Sequence, residues 1–361
     1  MRQRIRSLGI VAPITVCLMV YAQMAWAAEP PTSIRLTDVT AESGVQFEHT
    51  DGSSGEYYIV EYVSAGLALF DYDSDGDIDI YFLNGAPMPG TDGKPTTNAL
   101  YRNDGNWKFT DVTAKAGVGD SGHGLGVVVG DYDNDGDPDL YLNNFGPNVL
   151  YRNNGDGSFT DATKAAGVAN GDRVGAGASF LDIDGDGDLD LYVANYVKFA
   201  FDQHVQRTTQ GFATYASPLD YEPDPDVLYR NNGDGTFTDI SEESGVASKA
   251  GYGMGIVSSD IDNDGDPDVL VGNDTGANFV LLNDGTGRFE EAGLRFGFAY
   301  DGVGAMQGTM GVDCGDFDND GQFDIHVTSY QYESATLYKN VGGFLEDVTA
   351  RCGAGADTVT Q

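Results

Sequence analysis

The chain has 361 residues, 40% of them hydrophobic, which is enough to bury a core and argues against disorder. Its formal charge of −38, from 57 acids against 19 Lys and Arg, repels phosphate backbones and excludes ordinary nucleic-acid binding. Three cysteines are too few for a disulfide framework.

The chain opens with Arg2, Arg4 and Arg6, an apolar run from Leu8 to about Tyr21, and the small-residue site Ala25-Trp26-Ala27. This is the pattern of a secretory signal, residues 1–27, cleaved after Ala27. It predicts that the mature chain, 28–361, is secreted or periplasmic. The run is short for a membrane span of about 20 residues, and no later stretch is longer, so no span is expected after cleavage. Cys17 follows bulky Val16 where a lipidation site wants a small residue. Cleavage removes three positive charges and leaves Cys314 and Cys352. Whether these two pair in an oxidising compartment, the sequence leaves open.

One nine-residue pattern, Asp-x-Asp-x-Asp-Gly-x-x-Asp, is written five times. Its carboxylates at positions 1, 3, 5 and 9 are Asp71, Asp73, Asp75 and Asp79; Asp131, Asp133, Asp135 and Asp139; Asp182, Asp184, Asp186 and Asp190; Asp260, Asp262, Asp264 and Asp268; and Asp316, Asp318, Asp320 and Asp324. A hard divalent cation needs six to eight oxygens from a flexible loop. The glycine at position 6 permits the sharp turn. The backbone carbonyls of position 7 (Asp77, Asp137, Asp188, Asp266 and Gln322) can add an oxygen. With no Cys or His at a ligand position, zinc and copper are disfavoured. Mg²⁺ keeps its waters and rarely occupies an all-protein cage, so the expected ion is Ca²⁺, about five per chain.

Each loop sits inside a longer repeat. In residues 124–163, Gly124–Gly130 reads as a short buried strand that leads into the loop. Asp139–Asn143 leaves it as a second strand, Asn148–Asn153 is a third, Asn154-Gly155-Asp156-Gly157 is a hairpin turn, and Ser158–Thr163 is an alternating fourth strand. The other units match at 65–113, 175–241, 253–292 and 310–349. Loops recur every 51–78 residues. Four short strands per unit predict an all-β fold, a β-propeller of four-stranded blades. A linear calcium roll repeats far more tightly and has no four-strand rhythm. The recurring Tyr-Arg-Asn of the third strands reads as structural, with Tyr and Arg packed between blades and Asn capping the turn.

Ile34–Val45 copies a fourth strand without its three predecessors, so five calcium loops stand beside six fourth strands. Two readings stay open: the segment Ile34–Thr40 pairs irregularly on a five-blade arc, or a further blade is incomplete. Either leaves unpaired faces, and the chain alone is expected to be less stable or more associative than a closed ring. Two insertions break the rhythm. Asn84–Asn98 is Pro- and Gly-rich and reads as an exposed loop. Ala200–Asp226 carries Phe201, His204, Arg207, Phe212, Tyr215 and Tyr221. It reads either as a recognition loop on a rigid scaffold or as a loop packed on the rim.

The loops, together with Gly66–Tyr81, the Leu-Tyr-Arg-Asn-Asn-Gly-Asp-Gly-x-Phe-Thr-Asp run and Met310–Gly321, resemble the FG-GAP/VCBS repeats also seen in integrin α-subunits. Over roughly residues 34–353 they more closely resemble the bacterial relatives of cartilage acidic protein 1. That resemblance implies a secreted, calcium-bound propeller with a binding or adhesive role. Such relatives typically continue into a further blade and an ASPIC/UnbV domain, which this sequence lacks. Many carry a Cys where this chain has Tyr215-Ala216-Ser217-Pro218.

The function expected is an extracellular binding, adhesion or scaffold module with an unidentified protein or glycan partner in the envelope or outside the cell. The first alternative is a hydrolase or lyase acting on glycans or phosphoesters. Against it, His49, His123, His204 and His326 lie in no HExxH or nucleophile motif, and no G-x-S-x-G elbow occurs. His204 and Asp226 are the residues that an enzyme reading would test. The second alternative is a subunit completed by a partner chain. No catalytic residue is assigned.

Overall fold

A computed structural model describes residues 36–355 apart from 92 and 331. The expected signal sequence, residues 1–27, lies outside the described residues, as do Ile34 and Arg35. Leu36–Ala41 group apart from the unit that begins at Glu42, and the two are described separately.

Five antiparallel sheets follow one another along the chain, each in strand order 1-2-3-4. Unit 1 is Leu67–Phe70, Asp79–Phe82, Ala99–Asn103 and Phe109–Asp111; unit 2 is His123–Gly130, Asp139–Phe145, Val149–Asn153 and Phe159–Asp161. Unit 3 is Gly175–Leu181, Asp190–Asn195, Val227–Asn231 and Phe237–Asp239; unit 4 is Gly253–Ser259, Asp268–Gly276, Phe279–Asn283 and Phe289–Glu291. Unit 5 is Gly311–Gly315, Asp324–Thr328, Thr336–Asn340 and Leu345–Asp347. Gln307–Gly308 adds a short fifth strand to unit 4. Each register runs through position 9 of the loop, as in Phe70 opposite Asp79 and Gly130 opposite Asp139.

The hydrophobic core is divided among the gaps between neighbouring sheets. Tyr72, Tyr81 and Leu100 of unit 1 meet Leu140, Leu142 and Phe159 of unit 2. Tyr132, Tyr141 and Leu150 of unit 2 meet Leu191, Val193 and Phe237 of unit 3. Units 3 and 4 pack in the same way, as do units 4 and 5. No sheet buries its faces alone, so stability resides in the stacking of neighbours.

A hydrogen bond repeats across each gap. The third-strand Asn donates its Nδ2 to the position-2 carbonyl of the preceding loop: Asn153 to Tyr72 at 2.9 Å, and Asn231 to Tyr132, Asn283 to Ile183 and Asn340 to Ile261 at 2.8 Å. This corrects the expected division of roles in Tyr-Arg-Asn. The Asn does cap its turn, with Asn231 Oδ1 accepting from Gly233 N–H at 3.1 Å, but it is also the residue that crosses between sheets. Two of the arginines do not: Arg102 turns to Asp104 at 2.6 Å, and Arg152 is exposed.

The fourth-strand copy at the N-terminus is a second correction. Leu36–Val39 carry no strand, and Leu36 is 95% exposed. The local part of the motif survives: Asp38 Oδ1 accepts from Thr40 N–H at 2.9 Å, and a short helix, Thr40–Ser43, follows. Asp111 and Thr113 do the same after a real strand.

The insertions are less exposed than expected. Asn84 N–H donates to Asn98 Oδ1 at 2.7 Å and Met88 is buried, so the first loop is exposed only at its middle. The second forms a hairpin, Arg207–Thr209 with Phe212–Thr214, and inserts Ala216 and Tyr221 into a core with Ile59, Val60, Met88 and Phe199. Phe212 remains 76% exposed at its tip. Cys314 and Cys352 are both free. Among the described residues no helix is long and apolar enough to cross a membrane.

Candidate metal centres

Each Asp-rich loop joins the end of a first strand to the start of a second, and its conformation follows from its residue types. Position 1 folds the loop: Asp131 Oδ1 accepts from Asp135 N–H at 3.1 Å and Oδ2 from Gly136 N–H at 2.9 Å. Position 6 is left-handed, with φ of 92° at Gly136, as its glycine predicts. Position 4 is left-handed too, at Ser74, Asn134, Gly185, Asn263 and Asn319. This was not read from the sequence, although the bias to Asn and Gly there was its signal. Position 5 turns back on the loop, with Asp135 Oδ1 accepting from Asp137 N–H at 3.0 Å.

Position 9 is buried and ties the loop to the sheet. Asp139 Oδ2 accepts from Tyr132 N–H at 3.0 Å and Oδ1 from Asn153 N–H at 2.7 Å. Asp79, Asp190, Asp268 and Asp324 do the same in their units. Burial pushes Asp79 up to about 6 and Asp139, Asp190 and Asp268 up to about 7, and raises Asp324 as well. Burial also raises Asp133, Asp184 and Asp262 at position 3, and the position-5 carboxylates beside them add to it.

In units 1–4, positions 1, 3 and 9 converge, each offering an oxygen within 4.8 Å of the others: Asp71, Asp73 and Asp79; Asp131, Asp133 and Asp139; Asp182, Asp184 and Asp190; Asp260, Asp262 and Asp268. In unit 5 the converging set is Asp316, Asp318 and Asp320. The position-5 residues Asp75, Asp135, Asp186 and Asp264 stand outside the first four sets, and Asp324 stands outside the fifth. The position-3 Oδ1 atoms of Asp73, Asp133, Asp184 and Asp262 are buried without a hydrogen-bond partner. A buried carboxylate oxygen with no donor, beside two more carboxylates, fits a hard cation.

The fifth loop differs. Lys339 reaches Asp318 and lies 2.8 Å from Asp320, and the two carboxylates raise its pKa. Its counterparts are Arg102, Arg152, Arg230 and Leu282.

The other residues weighed from the sequence do not assemble into a site. His123 is buried and structural: Nδ1 accepts from Ala86 N–H at 3.0 Å and Nε2 lies 3.0 Å from Val60 O. His204 packs edge-on to Tyr58 at 4.8 Å, and His49 and His326 are exposed. Asp226 is buried, accepting from Tyr192 O–H at 2.6 Å and Asn195 N–H at 2.9 Å.

The FG-GAP-like repeat family matches residues 71–142, 132–193, 215–271 and 260–327, which include all five loops. The chain belongs to this family. A comparison with curated proteins finds no match. Among solved structures, a lectin of Agrocybe aegerita, described as recognising non-reducing terminal N-acetylglucosamine, is similar at 18% identity and a TM-score of 0.44, covering 83% of this chain and 68% of the lectin. A rhamnogalacturonan lyase of Bacillus licheniformis is similar at 15% identity and 0.41, covering 78% and 50%. The V. cholerae biofilm matrix protein Bap1 is similar at 13% and 0.39, covering 78% and 38%. The chain spans about half the length of the lyase and less of Bap1.

Proposed function

We propose that this chain is an exported binding module of the β-propeller type, held together by Ca²⁺ in its Asp-rich loops and without catalytic activity of its own. The observation that carries this reading is the contrast between the two edges of the sheets. At one edge, converging carboxylates with an orphaned buried oxygen ask for a cation. The connections between second and third strands, including both insertions, emerge at the other edge, where a rigid scaffold presents loops for recognition. Positions 1, 3 and 9 of units 1–4 would hold the ion, with the position-7 carbonyls adding oxygens. The ion would offset repulsion of about 3 kcal/mol per carboxylate pair about 5 Å apart at an effective dielectric near 20.

Export rests on the n-region, h-region and cleavage pattern of residues 1–27. The hydrolase or lyase alternative finds no support at Asp226, whose two oxygens are taken up inside the fold. A second reading, completion by a further segment, is favoured by the outer face of unit 5, where the position-2 Phe317 lies open. A strand set supplying the same Asn and fourth-strand contacts, from this protein or another, would cover it.

The test is thermal unfolding of the mature protein. Chelation with EGTA is expected to lower Tm substantially, with Ca²⁺ and not Mg²⁺ restoring it, because an ion bound only by the native state stabilises that state. A Tm indifferent to chelation refutes the reading.

A further inference from the structure

A cavity of about 390 Å³ opens at the edge opposite the Asp-rich loops. Its wall is assembled from five segments: Tyr62 from the turn Glu61–Val63, Tyr215 from the long insertion, Asp274 and Thr275 from the second strand of unit 4, Met310 just before unit 5, and Tyr330 just after that unit's second strand. The Tyr62 and Tyr215 rings stand 5.0 Å apart at 64°, forming two walls of a corner. Asp274 is 6% exposed.

The polar groups of this wall are not alike. Tyr196 O–H donates to Asp274 Oδ2 at 2.7 Å. Since the Tyr196 proton is committed there, the 3.2 Å contact between Tyr62 and Tyr196 has Tyr62 as donor. Thr275 O–H donates to the Asp274 carbonyl at 2.6 Å. These hydroxyl protons are therefore spent inside the protein, while among the described residues none donates to Asp274 Oδ1. Among the described residues no Lys, Arg or His lines the cavity. A second carboxylate, Glu333, lies behind it, accepting from Gly308 N–H at 2.8 Å.

The lining thus offers aromatic rings, a thioether, a carboxylate and the Ser217 hydroxyl, with few free donors and no positive charge. An anionic ligand meets a carboxylate with nothing to neutralise it. A polyhydroxylated neutral ligand needs donors as well as acceptors, and the wall has spent several of its own. A cation with an aliphatic body matches every element: the ring faces attract it, the carboxylate neutralises it, and the chain's formal charge of −38 concentrates it.

Resting on the reading of this chain as a binding module, we propose that this cavity binds an organic ammonium group, Asp274 serving as counter-ion and Tyr62, Tyr215 and Tyr330 as the aromatic wall. A free quaternary amine and a lysine side chain share this chemistry.

The test is calorimetric titration of the Ca²⁺-loaded full chain with choline, with a lysine-containing tripeptide amide acetylated at its N-terminus, with 3,3-dimethyl-1-butanol as the uncharged isostere of choline, and with N-acetylglucosamine. One of the two ammonium probes is expected to bind, and which one identifies the source. The uncharged isostere is expected to bind at least about tenfold more weakly than choline if choline binds. Asp274→Asn, which keeps an acceptor for Tyr196, and Tyr330→Leu, at an exposed position, are each expected to weaken the ammonium probe about tenfold without changing the Ca²⁺-dependent Tm. The inference is overturned if neither ammonium probe binds at tens of millimolar, if choline binds and the isostere equals it, if either variant binds as the native chain does, or if the sugar alone occupies the cavity. Failure of the native chain to bind either ammonium probe, with Ca²⁺-dependent stability intact, defeats this inference alone. A Tm indifferent to EGTA defeats the parent reading.

Discussion

Units 2 and 5 carry the same nine-residue loop and differ in what surrounds it. In unit 2, position 2 is Tyr132, 3% exposed beneath unit 3, its carbonyl held by Asn231 at 2.8 Å. In unit 5, position 2 is Phe317, 45% exposed. The helix after each fourth strand repeats the contrast. A side chain at Gly167 would meet the Phe237 carbonyl of unit 3 at 3.8 Å, whereas at Gly353 nothing lies within 4 Å. At position 3, Asp133 has a buried oxygen without a donor, while Asp318 is held by Lys339. The loop sequence fixes its own turn. The next sheet fixes whether the loop is sealed, and the third strand fixes how much charge it must neutralise.

The largest expected effect tests the seal. Asn231→Ala removes the bond to Tyr132 across the gap as well as the bonds to Leu189 and Gly233 within unit 3. Asn103→Ala removes only the local pair, to Ile78 and Gly105. In urea unfolding Asn231→Ala is expected to cost about 1–3 kcal/mol more than Asn103→Ala, the penalty of leaving a buried carbonyl unpaired. Equal losses would show that the cross-sheet bond contributes nothing.

Much of this was legible in the sequence. The strands read at Gly124–Gly130 and Asp139–Asn143 are found at His123–Gly130 and Asp139–Phe145, because the loop that joins them is itself a strong local signal. Leu36–Val39 fail for the converse reason. A strand is defined by its partner, and those residues repeat the letters without the partner, so only the locally bonded Asp38–Thr40 turn remains. The crossing role of the third-strand Asn was hidden because its acceptor lies 79–100 residues away, except in its regular recurrence. The ammonium cavity joins residues from Tyr62 to Tyr330, and no spacing rule connects them.

A smaller effect comes from a position where unit 3 departs from unit 2. Before the third strand, Asn148 accepts from Asn144 N–H at 2.8 Å and donates Nδ2 to the Tyr141 oxygen at 2.9 Å. Unit 3 places Asp226 there, and burial pushes it up to about 7 from its ordinary 3.8. A carboxyl with a raised folded pKa holds its proton longer in the native state than in the unfolded chain. Its contribution to stability is therefore present below pH 3.8, falls as pH rises towards about 7, and is lost above that. Asp226→Asn can adopt the bonds of Asn148, and its advantage over the native chain should grow between pH 4 and 7 in urea midpoints measured at saturating Ca²⁺. A difference that is flat with pH, or that shrinks as pH rises, contradicts this.

The smallest effect on stability, and the most specific to the comparison, concerns the fifth loop. Lys339 lies among the carboxylates that converge there, so a cation entering the site must displace it. Units 1–3 have Arg at the corresponding position, and unit 4 has Leu282. If loop sequence alone governed affinity, the five sites would titrate as one class. If the third strand governs it, calorimetry should resolve the unit 5 site as weaker than the rest, with uptake that releases the lysine and falls with added salt as an exposed ion pair does. Lys339→Leu, which borrows the unit 4 residue, should then move the fifth site towards the others, while in EGTA the variant becomes slightly less stable because Asp318 and Asp320 have lost their counter-ion. Asp318→Asn should alter only that site, and Asp133→Asn only its own. Five sites indistinguishable before and after Lys339→Leu would return control of affinity to the nine-residue loop.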